Sequence, residues 1–433
     1  MSEKDDMEYN LNEDIFQKDT KWPKKAKTLI IILASICFAL AAALIVMIIL
    51  NAKGSSNNSN PEPKRNESNN GSQIIDLFNF FGVKYPNLTY DDNGKIENTF
   101  KKGGDNYNES MGEINDGKDY EKNDRNIYDL YIPQYALDRK NDTNGIILWI
   151  HGGAWVHGVK DGMDIFCKLF SQQGYISATV GYTLLYSQNK VFNIFKMLDE
   201  ITACIKAIKK ELIKKGFAAD KLKLVIGGYS AGGHLTLLYS YLIKKVDIPI
   251  EFIISFAGPV GLYPKYFQKL KSNNDNFTSI ENITIIEQAM KDGKLEPTFS
   301  NPMILLFMNG FFGNKYDNDT LQKMLDSNGQ INENNDKYKE MIKVIKFSFI
   351  PEIEDNNVKT PIICFYGGVD NVVGVTAYAY LKQKADKDGR QLDLIYSRNE
   401  AHDLILPTKP DGIQKLQEVI SLIMRYSKKY FGY

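Results

Sequence analysis

The chain has 433 residues, 43% hydrophobic and 24% charged, with 53 basic and 53 acidic side chains that cancel at neutral pH. That composition is ordinary for a globular protein, and the length suits one large α/β domain with additions or two domains. The zero net charge and the absence of a basic tract in the folded part exclude a nucleic-acid partner as the first reading. Four cysteines, Cys37, Cys167, Cys204 and Cys364, form no Cys-x-x-Cys pair, so no metal or redox motif is expected. The last three fall inside expected helices or strands as small apolar thiols, with one disulfide left open.

Residues 1–27 read as a polar tail closing on Lys21, Lys24, Lys25 and Lys27. Thr28 to Leu50 is uncharged and apolar throughout. At about 1.5 Å rise per residue, such a run spans a bilayer core, so 28–50 is expected to be a single transmembrane anchor. A cleaved signal peptide is the alternative, but Asn51-Ala52-Lys53 offers no small-residue cleavage site. The basic cluster places the N-terminus in the cytoplasm and the large C-terminal part in a lumen or outside the cell. Nine sequons, at Asn57, Asn66, Asn70, Asn87, Asn108, Asn141, Asn276, Asn282 and Asn318, fit a glycoprotein there, although an Asn-rich chain produces sequons by chance.

Residues 51–73, rich in Asn, Ser, Pro and charge, read as a flexible stalk, and 74–126 as an N-terminal extension. Within it Ile74–Phe81 suggests a short helix, and Tyr90–Asn126 loops with short edge strands. The folded domain is expected over 127–433. Ile127–Pro133 alternates and stops at Pro. Gly145–Ile150 and Tyr175–Val180 are continuous apolar runs, as in strands buried on both faces. Met163–Gln172 and Ile194–Lys215 carry helical spacing. Strands follow at Leu222–Ile226, Phe252–Phe256, Ile362–Tyr366 and Leu392–Tyr396, with helices at Leu235–Leu242, Val375–Ala385 and Ile413–Ile423. This alternation predicts a mostly parallel sheet with helices on both faces. Leu262–Ile350 interrupts it with helical pieces at Ser279–Met290, Pro302–Met308 and Tyr338–Ile345, expected as a cap or as connecting helices.

The chemistry concentrates at Gly228-Tyr229-Ser230-Ala231-Gly232, between a strand and a helix. A strand entering a helix so abruptly leaves the central Ser strained and its hydroxyl exposed. Such a hydroxyl is a nucleophile only with a base and an oxyanion site. Of four histidines, His402 follows the last strand, and Asp370 follows the one before it. The order Ser230, Asp370, His402 suits this arrangement, with Glu400 and Asp403 as rival acids. His151-Gly152-Gly153-Ala154-Trp155 directly follows a strand, so the N–H groups of Gly152, Gly153 and Ala231 are expected to form an oxyanion hole. His151 and His234 read as structural, His157 as exposed, and Trp155 and Tyr229 as candidate pocket residues. Trp155 reads equally as core.

With Tyr128–Pro133, His151–Trp155, Gly228–His234, Asp370 and His402, the chain resembles the α/β-hydrolase fold over roughly 120–430. It is similar to the carboxylesterases related to hormone-sensitive lipase and to the feruloyl/acetyl esterases. The resemblance implies a Ser-His-Asp esterase without cofactor and does not specify the substrate; no metal is expected, the partner is expected to be a small-molecule or lipid-like ester, and the apolar anchor favours the lipid-like one. Family members often carry Asp-Tyr-Arg-Leu where this chain has Gly181-Tyr182-Thr183-Leu184, and a Pro soon after the acid, which Asn371–Gly374 lacks. A formamidase or other amidase, a lipid deacylase, or a catalytically silent binding ectodomain are the alternatives on the same fold. The sequence leaves the oligomeric state open.

Overall fold

The computed structural model describes residues 80–90, 95–111, 120–121, 124–185, 192–271, 283–354, 359–397, 400–403 and 412–431. The apolar run 28–50, the tail and the stalk lie outside the described residues. Among the described residues no helix is long and apolar enough to cross a membrane.

Eight strands make one sheet: β1 (Gly82–Thr89), β2 (Ile127–Pro133), β3 (Asn144–Ile150), β4 (Ile176–Val180), β5 (Leu222–Tyr229), β6 (Ile250–Phe256), β7 (Ile362–Gly367) and β8 (Leu392–Ser397), ordered β1-β2-β4-β3-β5-β6-β7-β8. β2 is antiparallel to both β1 and β4, and every other pairing is parallel. This is the α/β-hydrolase architecture expected from the sequence.

The apolar runs are continuous because successive side chains enter opposite cores. Ile146, Leu148 and Ile150 of β3 join the core beneath α2 (Ile194–Lys214), α3 (Ala231–Leu242) and α8 (Val375–Asp388). Ile147 and Trp149 face the other core, with Phe166 and Phe170 of α1 (Asp164–Gln172) and Ile420 and Ile423 of α9 (Gly412–Phe431). Asn193 caps α2, its side chain accepting from the N–H groups of Phe195 and Lys196 at 3.1 Å. Cys167, Cys204 and Cys364 are free and buried, which closes the disulfide question for these three.

One expectation is corrected: the sheet does not begin at Ile127, because β1 pairs along β2, so part of the presumed extension belongs to the domain. Of the short helix expected at Ile74–Phe81, residues 74–79 lie outside the described residues, and Phe80 and Phe81 are an irregular lead into β1. The short edge strands expected in 90–126 occur as Lys95–Ile96 paired with Tyr120–Glu121.

The segment between β6 and β7 contains α4 (Ile283–Lys291), α5 (Asn301–Phe311), α6 (Asn318–Gln322), α7 (Asp336–Ile345) and a hairpin of Gln268–Leu270 with Leu295–Pro297. It is docked on the ends of the sheet. Thr298 Oγ1 donates to the Val372 carbonyl at 3.0 Å, and the Gln268 N–H donates to Thr376 Oγ1 at 3.0 Å. Asn314 Nδ2 donates to the Leu185 carbonyl at 2.9 Å.

Candidate active site

β5 ends at Tyr229 and α3 starts at Ala231, leaving Ser230 alone in the turn with φ 55° and ψ −119°. For a residue with a side chain this is a strained conformation. It is held by the Ser230 N–H, which donates to the Phe256 carbonyl at 2.8 Å, and by the Ser230 carbonyl, which accepts from His234 N–H at 3.0 Å. The glycines are there for contact. A Cβ on Gly228 would lie 2.2 Å from the Gly232 carbonyl oxygen, and one on Gly232 would lie 2.1 Å from that of Ile150.

His402 Nε2 lies 2.9 Å from Ser230 Oγ, and its Nδ1 lies 2.8 Å from Asp370 Oδ2. The Ser230, Asp370 and His402 side chains therefore meet, from the ends of β5, β7 and β8. The rival acids Glu400 and Asp403 do not take this position. Asp370 is buried, and its other oxygen accepts from the N–H groups of Val372 and Val373 at 2.7 and 3.0 Å. Burial pushes its carboxyl up, but the His402 imidazole and those two N–H groups outweigh it and hold it below the usual carboxylate range. The acid and base loops are also tied to each other: Val369 N–H donates to the Glu400 carbonyl at 3.0 Å, and Gly368 N–H to that of Ser397 at 2.9 Å.

Gly152 lies against the nucleophile, where a Cβ would come within 3.1 Å of Ser230 Cβ and 2.8 Å of the Tyr229 carbonyl oxygen. Gly153, Ala154 and Trp155 follow with φ of 120°, 49° and 61°, three consecutive left-handed residues. The Gly153 carbonyl closes this turn by accepting from Val156 and His157 N–H at 3.0 Å each. The N–H groups of Gly152, Gly153 and Ala231 meet no acceptor among the described residues. Glycine pairs signalled the turn in the sequence, but nothing there signalled the left-handed Ala154 and Trp155.

The other candidates divide. Trp155 is buried, its ring edge-on to Phe311 at 4.9 Å, to Phe307 at 5.9 Å and to His234 at 5.4 Å. It is a wedge between the glycine loop and α5, the core alternative rather than an open wall. Tyr229 is half-buried and donates its hydroxyl to the His402 carbonyl at 2.6 Å. His151 is structural, as expected: burial pushes it down to about 3, and as a neutral ring it donates from Nδ1 to the Gly152 carbonyl at 2.7 Å. His234, pushed down to about 4 by burial, donates from Nε2 to the Ser348 carbonyl at 2.9 Å. His157 is half-buried rather than exposed, because the left-handed turn folds it back over Gly153.

Among the described residues, Asp129, Asp161 and Asp164 approach closely enough to share a metal ion. Ammonium groups already sit among them: Lys160 Nζ is 2.8 Å from Asp129 and 2.9 Å from Asp161, and Lys84 Nζ is 3.0 Å from Asp129 and 3.2 Å from Asp164.

Residues 128–301, which span the strand ahead of the glycine loop through Ser230 and into the segment between β6 and β7, match the family model BD-FAE. The chain has the α/β-hydrolase fold, with Ser230 in the turn between strand and helix. It is also similar to a non-reducing polyketide synthase of Stereocaulon alpinum, 24% identical over 138 residues. That match takes in 31% of this chain and spans only 5% of the synthase's length. Among solved structures it is similar to esterase B of Lactobacillus rhamnosis, 13% identical, covering 90% of this chain and 97% of that one with a TM-score of 0.49. A truncated carbohydrate esterase from gut microbiota, 13% identical, covers 79% and 96% with a TM-score of 0.48. An esterase of Thermogutta terrifontis, bound to butyrate, is 14% identical over 78% and 95% with a TM-score of 0.44.

Proposed function

We propose that the protein is a carboxylic ester hydrolase that works through a Ser230–His402–Asp370 triad and an acyl-enzyme intermediate. The observation that carries this reading is the pair of contacts at 2.9 and 2.8 Å joining hydroxyl, imidazole and carboxylate. Ser230 Oγ attacks the ester carbonyl as His402 Nε2 removes its proton. Asp370 holds the ring in the tautomer that leaves Nε2 free to accept, and stabilises the imidazolium. Charge developing on the carbonyl oxygen is met by the N–H groups of Gly152, Gly153 and Ala231, the last at the positive end of α3. His402 returns the proton to the departing alcohol. Water then attacks the acyl carbonyl, giving its proton to His402, which passes it to Ser230 Oγ as the acyl–oxygen bond breaks and the acid leaves.

The test is the Ser230→Ala variant assayed on a small aryl ester, with fluorophosphonate labelling of the parent at Ser230. Loss of hydrolysis and of labelling supports the triad, whereas near-parental turnover by Ser230→Ala removes it. Matched ester and amide substrates read the competing amidase activity, and acyl esters of graded length read whether the substrate is lipid-like.

The same proposal includes anchoring through 28–50, with the N-terminus cytoplasmic and the catalytic domain lumenal or extracellular. Its support is the uncharged run behind the basic cluster Lys21–Lys27. Alkaline carbonate extraction of membranes and protease protection of sealed vesicles test it. Release into the supernatant, or digestion of the domain from the cytoplasmic side, refutes the respective part.

A further inference from the structure

The glycine loop is held from outside by a residue that precedes the first strand of the recognisable motif. Arg125 is half-buried two residues before β2. Its Nε donates to the Tyr182 carbonyl at 2.9 Å and its Nη2 donates to the Gly158 carbonyl. Tyr182 bears on the His151–Gly152 peptide and Gly158 on the Gly152–Gly153 peptide. Gly158 has φ 101°, and a Cβ there would lie 2.4 Å from the Gly152 carbonyl oxygen and 2.7 Å from His151 Nδ1. Tyr182 stacks its ring on that of His151 at 4.2 Å with 12° between planes, and donates its hydroxyl to the His151 carbonyl at 3.0 Å.

The loop of Tyr182 is fixed in turn from α2. The Glu200 carboxylate accepts from Thr183 N–H at 2.7 Å, from Thr183 Oγ1 at 2.5 Å and from Nδ2 of Asn126 at 2.9 Å. Thr183 stands where the related pattern Asp-Tyr-Arg-Leu has its arginine, so this loop carries no guanidinium of its own. A planar fork with several donors can join two carbonyls at fixed spacing, which a single ammonium does less well.

We propose that Arg125 is a positioning residue for the oxyanion loop, clamping Tyr182 and Gly158 so that the Gly152 and Gly153 N–H groups hold their direction beside Ser230. The proposal rests on the reading of those N–H groups as oxyanion donors. A misdirected donor weakens stabilisation of the transition state more than of the ground state, so turnover falls while substrate binding is spared.

The experiment uses the full chain in detergent, with kcat and KM for a 4-nitrophenyl ester normalised to sites titrated by a fluorophosphonate. Arg125→Met is expected to lower kcat per site about ten- to a hundredfold with KM within about twofold. The pH profile of kcat keeps its midpoints, because the triad is untouched, and Arg125→Lys recovers part of the loss. Parental kcat per titrated site in Arg125→Met, or a rise in KM at unchanged kcat, overturns the proposal. Should Arg125→Met give no titratable sites, Arg125→Lys decides: full kcat with lysine refutes the two-carbonyl clamp, and a reduced kcat at constant KM upholds it. Ser230→Ala separates this from the triad reading. Activity surviving that change sinks the triad, while parental turnover in Arg125→Met sinks the clamp alone.

Discussion

The Tyr229 hydroxyl donates to the backbone carbonyl of His402 at 2.6 Å, which joins the residue before the proposed nucleophile to the residue proposed as its base. Its ring lies 5.4 Å from the imidazole. The loops of Ser230 and His402 are thereby fixed to each other as well as to Asp370. A neutral hydrogen bond of this kind contributes on the order of 1 kcal/mol. Tyr229→Phe is therefore expected to lower kcat about three- to tenfold with KM unchanged, read by steady-state kinetics on an aryl ester. A rise in KM alone would instead assign Tyr229 to the substrate pocket.

Gly152 has no room for a side chain toward Tyr229 and Ser230. Gly152→Ala is expected to push the loop off the nucleophile and to cost about a hundredfold or more in kcat, the scale of losing an oxyanion donor. Circular dichroism and titration with fluorophosphonate separate that loss from misfolding. An alanine variant with parental kcat per site would remove Gly152 from the oxyanion hole.

Two buried carboxyls give opposite dependences of stability on pH. Burial pushes Glu200 up to about 7 against 4.5 for a free side chain, despite its three donors. The folded chain keeps a proton that the unfolded chain has released, so this group's contribution to stability falls as pH rises from about 4.5 to about 7. Asp370 is held low, so its contribution is present above the free carboxylate value and lost as pH falls through its folded value. Comparing Tm of Glu200→Gln with the parent from about pH 4 to pH 8 should show the variant gaining, relative to the parent, toward the alkaline end. A constant difference would show that Glu200 titrates normally.

Gly227 pairs across from Trp149, and a Cβ at Gly227 would come 2.4 Å from Cζ3 of that indole. Gly227→Ala is expected to destabilise the domain by about 1–3 kcal/mol, the usual cost of overfilling a packed core. Urea denaturation reads the loss, and turnover per titrated site should stay within about twofold. Unchanged stability would mean that Trp149 can move aside freely.

The parts legible in the sequence are those with a local signature. Strands such as β3 and β5 announce themselves because both faces are buried, and Ser230, Asp370 and His402 because each follows a strand end. β1 was hidden for an equally local reason. Gly82–Thr89 sits at the sheet rim, half-exposed, with Pro86 beside a left-handed Asn87 and a break in register between Tyr85 and Leu88, so no alternation marks it. Arg125, Glu200 and the Tyr229 hydroxyl were invisible as functional residues because their partners lie far away in sequence. Tyr229 and His402, for instance, are 173 positions apart. No spacing rule connects such pairs; only the folded sheet does.

β1 carries one more implication, for where the chain can be cut. Trimming the polypeptide to Ile127, where the amphipathic pattern first becomes plain, would strip the outermost ladder from β2 and present its N–H and C=O groups to any neighbouring molecule. The same cut would discard Asn126 and Arg125 together. A shortened protein of that kind would self-associate through its bare margin and turn over slowly, while one beginning ahead of residue 80 would retain both the seam and the fork.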